Sequence, residues 1–173
     1  MFNETGEQIF YADPEILGAA SISSAENSQC VEHRCLVRKL DEVLADFHSG
    51  ADFIKIDVEG AELFVIEGGI DTIRRSKPII FAEMLRKHAA TFDYHPNDII
   101  DLLAAENYRC FYSRNGELVE FFRMDDRTEE KNFFFLNKEN HEDKIREFNS
   151  QRKNATKGWR APLITEMPGG YIG

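Results

Sequence analysis

Short, unbroken apolar runs alternate with amphipathic stretches through the middle of the chain. Phe53-Ile54-Lys55-Ile56 is apolar up to Asp57, and 52–57 reads as a strand. From Gly60 to Ile73, the residues Leu63, Ile66, Ile70 and Ile73 recur at intervals of three and four, which predicts a helix against a sheet, broken or bent at Gly68-Gly69. Lys77-Pro78 leads into Ile79-Ile80-Phe81-Ala82-Glu83, a second strand that ends at its acid. Pro96 suits the first position of a helix, with Asp98 in its first turn and Ile99, Leu102 and Leu103 facing inward. Tyr108 to Tyr112 predicts a third strand, Asn115-Gly116 a turn, and Asn132 to Leu136 a further strand. Upstream, Gln8 to Tyr11 and Val31 to Val37 read as strands. Leu40, Val43, Leu44 and Phe47 are spaced for a short helix that ends at His48-Ser49-Gly50-Ala51.

The order from residue 52 is strand, helix, strand, helix, strand, turn region, strand. This predicts an α/β fold with a largely parallel sheet, because continuous apolar strands suit burial on both faces. The last two strands are close enough in sequence to pair antiparallel. Residues 13–30, rich in Ser, Ala and Gly, read as a loop. Past about residue 140 the apolar period fades, and 141–173 reads as a polar, flexible tail behind a domain of residues 1–140. No internal repeat is visible.

Composition narrows the function classes. A chain of 173 residues is enough for one domain with its own core, and 14 Phe imply an aromatic-rich one. No apolar run approaches a membrane span, and Met1 to Glu7 has neither the basic start nor the apolar segment of a signal peptide. Cys30, Cys35 and Cys110 are an odd count without zinc-ligand spacing, so reduced thiols and a cytoplasmic setting are expected. Cys30 and Cys35 with His33 between them leave a metal loop as a minor alternative. Asn154-Ala155-Thr156 resembles a glycosylation acceptor with nothing else to suggest secretion. The net charge of −10 is uneven. Residues 141–173 hold six basic and four acidic residues, a net +2, against −12 for residues 1–140. An acidic body repels phosphate backbones, which argues against nucleic acid as the main partner.

The candidate chemistry sits where the first buried strand ends. Asp57, Glu59 and Glu62 fall within six residues, around Gly60 and Ala61, at a strand-to-helix junction of the kind at which α/β proteins bind ligands. Asp57 could take the proton of a hydroxyl nucleophile, hold a divalent cation, or cap the following helix. Glu59 and Glu62 read as first-turn acids favoured by the helix dipole, with a role in the site as the alternative. Gly60 allows close packing or ligand approach. Lys55 points away from Ile54 and Ile56 and is placed for an ion pair. Glu83 ends the neighbouring strand on the same edge as Asp57 and is a second candidate to line the pocket. His88 and His95, in the loop beyond it, are candidate bases, and Ser21 and Ser23 candidate substrate contacts.

These residues carry a resemblance. Lys55-Ile56-Asp57-Val58-Glu59-Gly60-Ala61-Glu62, followed by Val65-Ile66-Glu67-Gly68-Gly69 and Lys77-Pro78, is similar to the FkbM-type methyltransferases. Leu40 to Leu44, Gly18 to Ser21 and Asn132 to Leu136 resemble the same family in order and spacing, so that the likeness runs over roughly residues 3–138. It implies a Rossmann-like sheet and methyl transfer from S-adenosylmethionine to a hydroxyl oxygen of a small molecule, sugar or lipid. It also implies that Asp57 and Glu83 serve catalysis and that Asp57, Glu59, Gly60 and Glu62 line the cofactor. One departure stands out. Such enzymes open with a strand and a Gly-rich loop that cradles the cofactor, and no Gly-x-Gly follows a strand before residue 50. The expectation is therefore the C-terminal half of the domain, lacking its first three core strands, with an open sheet edge at 52–57 prone to self-association. Two alternatives remain: a non-catalytic binding or scaffolding remnant, and a metal-dependent hydrolase with Asp57, Glu59, Glu62 and Glu83 as oxygen ligands.

Overall fold

The computed structural model describes residues 2–12, 20–21, 31–45 and 50–147. Its centre is a five-stranded sheet: β4 (Phe53–Ile56), β5 (Ile79–Glu83), β6 (Tyr108–Arg114), β7 (Glu117–Phe121) and β8 (Asn132–Asn137), in the spatial order β4-β5-β8-β6-β7. The sheet is mixed rather than largely parallel. β4 and β5 pair parallel, whereas β8 runs antiparallel to both β5 and β6, and β7 antiparallel to β6. β6 therefore points the same way as β4 and β5. The expected antiparallel pairing of the last two predicted strands is present as β6–β8. β7 is an addition, folded back on β6 through Asn115 and Gly116, both at positive φ, the geometry of a tight hairpin turn.

One face of this sheet carries the main core. Ile56, Ile80, Ala82, Phe133, Phe135, Tyr108 and Cys110 pack against the helices α2 (Glu62–Glu67), α3 (Ile70–Ser76) and α5 (Pro96–Ala105), which contribute Val65, Ile66, Ile73, Ile99, Ile100 and Leu103. The predicted break at Gly68-Gly69 separates α2 from α3. A smaller cluster of Phe111, Leu136 and Ile145 lies apart from that core, so packing continues past residue 140 into a helical stretch at 142–147. Beside it Phe53, Ile79, Leu118, Phe134, Leu136, Lys144 and Glu147 line a groove of about 340 Å³. Residues 148–173, and with them Asn154, lie outside the described residues.

β1 (Gly6–Ala12) and β3 (Val31–Val37) pair antiparallel over seven residues, with β2 (Ala20–Ser21) on the other side of β1. The short β2 falls within the stretch read as a loop; Gly18, Ser23, Cys30 and Phe47 lie outside the described residues. This ribbon meets the body at one end. Phe2 N donates to Arg38 O, and the Phe2 ring lies 4.8 Å from that of Phe64. A side chain on Gly68 would meet the Phe2 carbonyl at 2.1 Å, and one on Gly69 would meet Leu40 at 2.7 Å. Asp41, in α1 (Leu40–Leu44), accepts from the amides of Asp71 and Thr72 at 3.1 and 2.7 Å and so caps α3 from outside that helix.

Candidate active site

β4 and β5 end side by side. One step beyond the Ile56↔Ala82 pair, the register sets Asp57 opposite Glu83, on the face away from the main core. The two carboxyl groups are coupled in opposite directions. The Lys55 ammonium, 2.9 Å away, holds Asp57 below the ordinary carboxylate range against a smaller effect of burial. Burial pushes Glu83 up first, the charges of Asp57 and Glu59 push it further, and Lys131 opposes them. Two carboxyl groups in one place titrate apart in this way, the one beside a cation downward and the more buried one upward. Asp57 does not cap the following helix, whose cap position is Ala61 with no side-chain bond. Lys55 makes the predicted ion pair.

The next residues form a tight turn closed by Ala61 N to Val58 O, with Glu59 and Gly60 both at positive φ, 53° and 109°. Glu59 thus precedes the helix rather than sitting in its first turn. Glu62 does start the helix but faces inward. It is 3% exposed; its Oε1 accepts from Gly60 N at 3.0 Å and Val58 N at 3.3 Å, and its Oε2 from the Tyr94 hydroxyl at 3.2 Å. Its charge is spent on the loop's own amides, so it braces the turn. Gly60 is required by packing: a Cβ there would lie 2.6 Å from the carbonyl oxygen of His88. The Tyr94 hydroxyl donates to Gly60 O at 2.8 Å.

His88 lies in α4 (Arg86–Ala89) rather than in a loop, and its Nδ1 is 3.0 Å from Glu59 Oε2. His95 is the cap of α5: its Nδ1 accepts from Asn97 N at 3.1 Å while Asp98 accepts from His95 N, so its ring serves the helix start. Past Glu83, residues Met84 to Lys87 and Met124, with Thr128 to Lys131, enclose a groove of about 410 Å³. Lys131 belongs both to this groove and to the field on Glu83.

The structure thus brings Asp57, Glu59, Glu83 and His88 to one rim and turns Glu62 and Gly60 into its support. Sequence reasoning had no signal for the inward turn of Glu62, because its partners are backbone amides and a tyrosine 32 residues away. Among the described residues no group of three or more His, Cys, Asp or Glu side chains is placed to hold a metal ion, which removes the geometric basis of the four-carboxylate hydrolase reading. Nor is any helix among them long and apolar enough to cross a membrane.

Comparison with known proteins agrees with this motif. The model of the methyltransferase FkbM domain matches residues 4–110, a span that contains the ribbon, the acidic turn and both parallel strands. No curated protein and no solved structure matches the chain. With well over half its length matched, the chain belongs to the FkbM methyltransferase domain family.

Proposed function

We propose that this chain carries the acceptor-side wall of an S-adenosylmethionine-dependent O-methyltransferase whose substrate is a hydroxyl group of a small molecule, sugar or lipid. The observation that carries the reading is the coupled pair Asp57 and Glu83 at the ends of the two parallel strands. A carboxylate held low by Lys55 beside one pushed up by burial suits a cationic sulfonium donor and a hydroxyl acceptor together. Asp57 attracts positive charge and accepts from hydroxyl groups, and Glu83 beside it holds a proton more readily than an ordinary carboxyl does. The donor set therefore fits the cofactor. Asp57 and Glu59 would face it, with Gly60 and Glu62 fixing the turn behind them, and the cofactor would supply an electrophilic methyl group. The groove beyond Glu83 is the candidate acceptor side.

The β4 edge bears on how complete the sheet is. Among the described residues β4 has a neighbour only in β5, and Phe53 at its start is 54% exposed. In the proposed full architecture this edge receives a further strand, and the glycine cradle of the cofactor comes with it. Among the described residues, the glycine of the acidic turn packs on protein, not on open space. That observation favours a second reading, a binding or scaffolding remnant without turnover, whose bare edge pairs with another chain. One experiment separates the two. Methyl transfer from labelled S-adenosylmethionine to simple hydroxyl probes is measured for the protein and for Asp57→Ala. Under the first reading the substitution removes transfer while the folded state survives. Equal transfer by both proteins would take Asp57 out of the mechanism, and no transfer together with concentration-dependent association favours the remnant.

A further inference from the structure

We propose that the C-terminal part of this chain, residues 159–172, docks in the apolar groove on the second face of the central sheet. The proposal stands apart from methyl transfer and starts from the two faces of the sheet. Alternation along β4 sends Ile54 and Ile56 to the main core and Phe53 to the opposite face. On that opposite face Ile145 covers Phe111 and Leu136. Beside this cover Phe53, Ile79, Leu118 and Phe134 border the groove of about 340 Å³, with Phe53 more than half exposed. A more polar hollow of about 700 Å³ adjoins the groove and shares Phe53, Ile79 and Lys144 with it. Apolar surface gathered in this way beside an open strand edge marks a place where another piece of polypeptide sits.

The course of the chain names the occupant. Glu147, the last described residue of the helical stretch at 142–147, is itself a wall of the groove, and Lys144 lies one turn before it. The sequence continues for 26 residues beyond Glu147, so it enters this part at the mouth of the groove. Trp159, Leu163, Ile164, Met167, Tyr171 and Ile172 bring large apolar side chains. Trp159 follows Glu147 by 12 residues, a reach of up to about 40 Å. A tether of that length sets an effective concentration on the order of 1 mM, so an affinity of about 0.1 mM docks the segment roughly nine-tenths of the time.

Charge points the same way. Residues 148–173 carry Arg152, Lys153, Lys157 and Arg160 against Glu166, a net +3, and residues 1–147 carry 17 basic and 30 acidic residues, a net −13. The segment is drawn to its own body, whereas two such bodies repel, which disfavours a second copy as the occupant. The groove meets β4 and β5 at their starts, and Asp57 and Glu83 stand at their far ends, so a docked segment leaves that rim open. It also covers Phe53 at the bare edge, one of the ways in which sheets keep an edge from pairing with other chains.

Trp159 is the sole tryptophan, so its fluorescence in the full chain reads docking directly. Its emission is expected on the short-wavelength side of free indole in water, with acrylamide quenching reduced about fivefold or more, and with the same values at every protein concentration. Phe53→Glu sets a charge in the groove and is expected to return both readings to those of free indole with circular dichroism unchanged. Leu163→Ser combined with Ile164→Ser tests the contact from the segment's side, leaves the sheet untouched and is expected to release Trp159 equally. Proton NMR should show cross-peaks between the indole and the ring of Phe53 or Phe134, which locates the contact even where Phe53→Glu fails to fold. Water-like emission in the unaltered protein overturns the proposal. So does a Trp159 that either variant leaves protected, or an indole with no cross-peak to those rings. Protection that develops only as the protein is concentrated overturns it as well and assigns the groove to a second copy.

Discussion

Two sheets in this molecule are built from strands of similar length and are held by different physics. In the five-stranded sheet Ile80, Ala82 and Phe133 are fully buried beneath three helices. In the β1–β3 ribbon every residue of β3 except Val37 is exposed, Leu36 at 82%. The ribbon has a complete ladder of seven pairs and almost no core. Hydrogen bonds exchange water for protein with a small net gain, and a two-stranded ribbon is marginal alone, so its position depends on the anchor at Phe2, Gly68 and Leu40. Regular secondary structure is thus no measure of local stability here; apolar burial is.

The largest effect should come from the core. Phe133→Ala leaves a cavity at a position with no exposed surface and is expected to cost about 3–5 kcal/mol, read as a lower denaturant midpoint for the whole chain. The anchor comes next. Gly68→Ala drives a methyl group into the Phe2 carbonyl and is expected to cost roughly 1–3 kcal/mol. Hydrogen exchange should quicken in residues 6–12 and 31–37 while β5 and β8 stay protected. Uniform loss of protection would show that ribbon and sheet form one cooperative unit, and the comparison would fall.

A third effect belongs to the body alone. Burial and the nearby Lys144 push the His141 imidazole below its ordinary value, and its Nδ1 accepts from Asn137 N at 3.0 Å, a bond that protonation there destroys. The unfolded chain then binds the proton more readily than the folded one. This contribution is present above the unfolded pKa of about 6.5 and is lost as pH falls through it toward the lower folded value. Urea unfolding at pH 7.5 and 5.5 should show this acid loss, and His141→Gln should remove that part of it. The smallest effect is Leu36→Ser, expected to change stability by no more than about 0.5 kcal/mol despite replacing a large apolar residue in the middle of a strand.

Much of this was legible in the chain. The strand ending at Glu83, the helix opened by Pro96 and the turn at Asn115-Gly116 were each marked by a local signal: an unbroken apolar run, a fixed φ, a pair of residues tolerant of positive φ. Asp57 and Glu83 could be set on one edge because both end apolar runs. What could not be read was non-local. β7 follows the hairpin turn directly, but Glu117-Leu118-Val119-Glu120-Phe121 alternates weakly and reads as part of a turn region. The insertion of β8 between β5 and β6 depends on β5–β8 pairs that lie 49 to 55 residues apart in the chain, which no local pattern reports. The cap that Asp41 lends to α3 and the contact of Glu59 with His88 are likewise made between elements, the second where Gly60 lets its loop approach the His88 backbone.

The place of β8 has a consequence for how the molecule is made. It is the last strand of the sheet to leave the ribosome, yet it occupies the middle of the sheet, with Phe135 bonded into both neighbours. Until residue 137 has emerged, β5 and β6 have no common partner and the Phe-rich interior has no lid. The nascent chain must therefore wait, open and exposed to proteases and chaperones, and then close in a single late event. Ribosomal stalling once residue 121 has emerged but before residue 132 would leave not a smaller sheet but two unjoined pairs, β4–β5 and β6–β7.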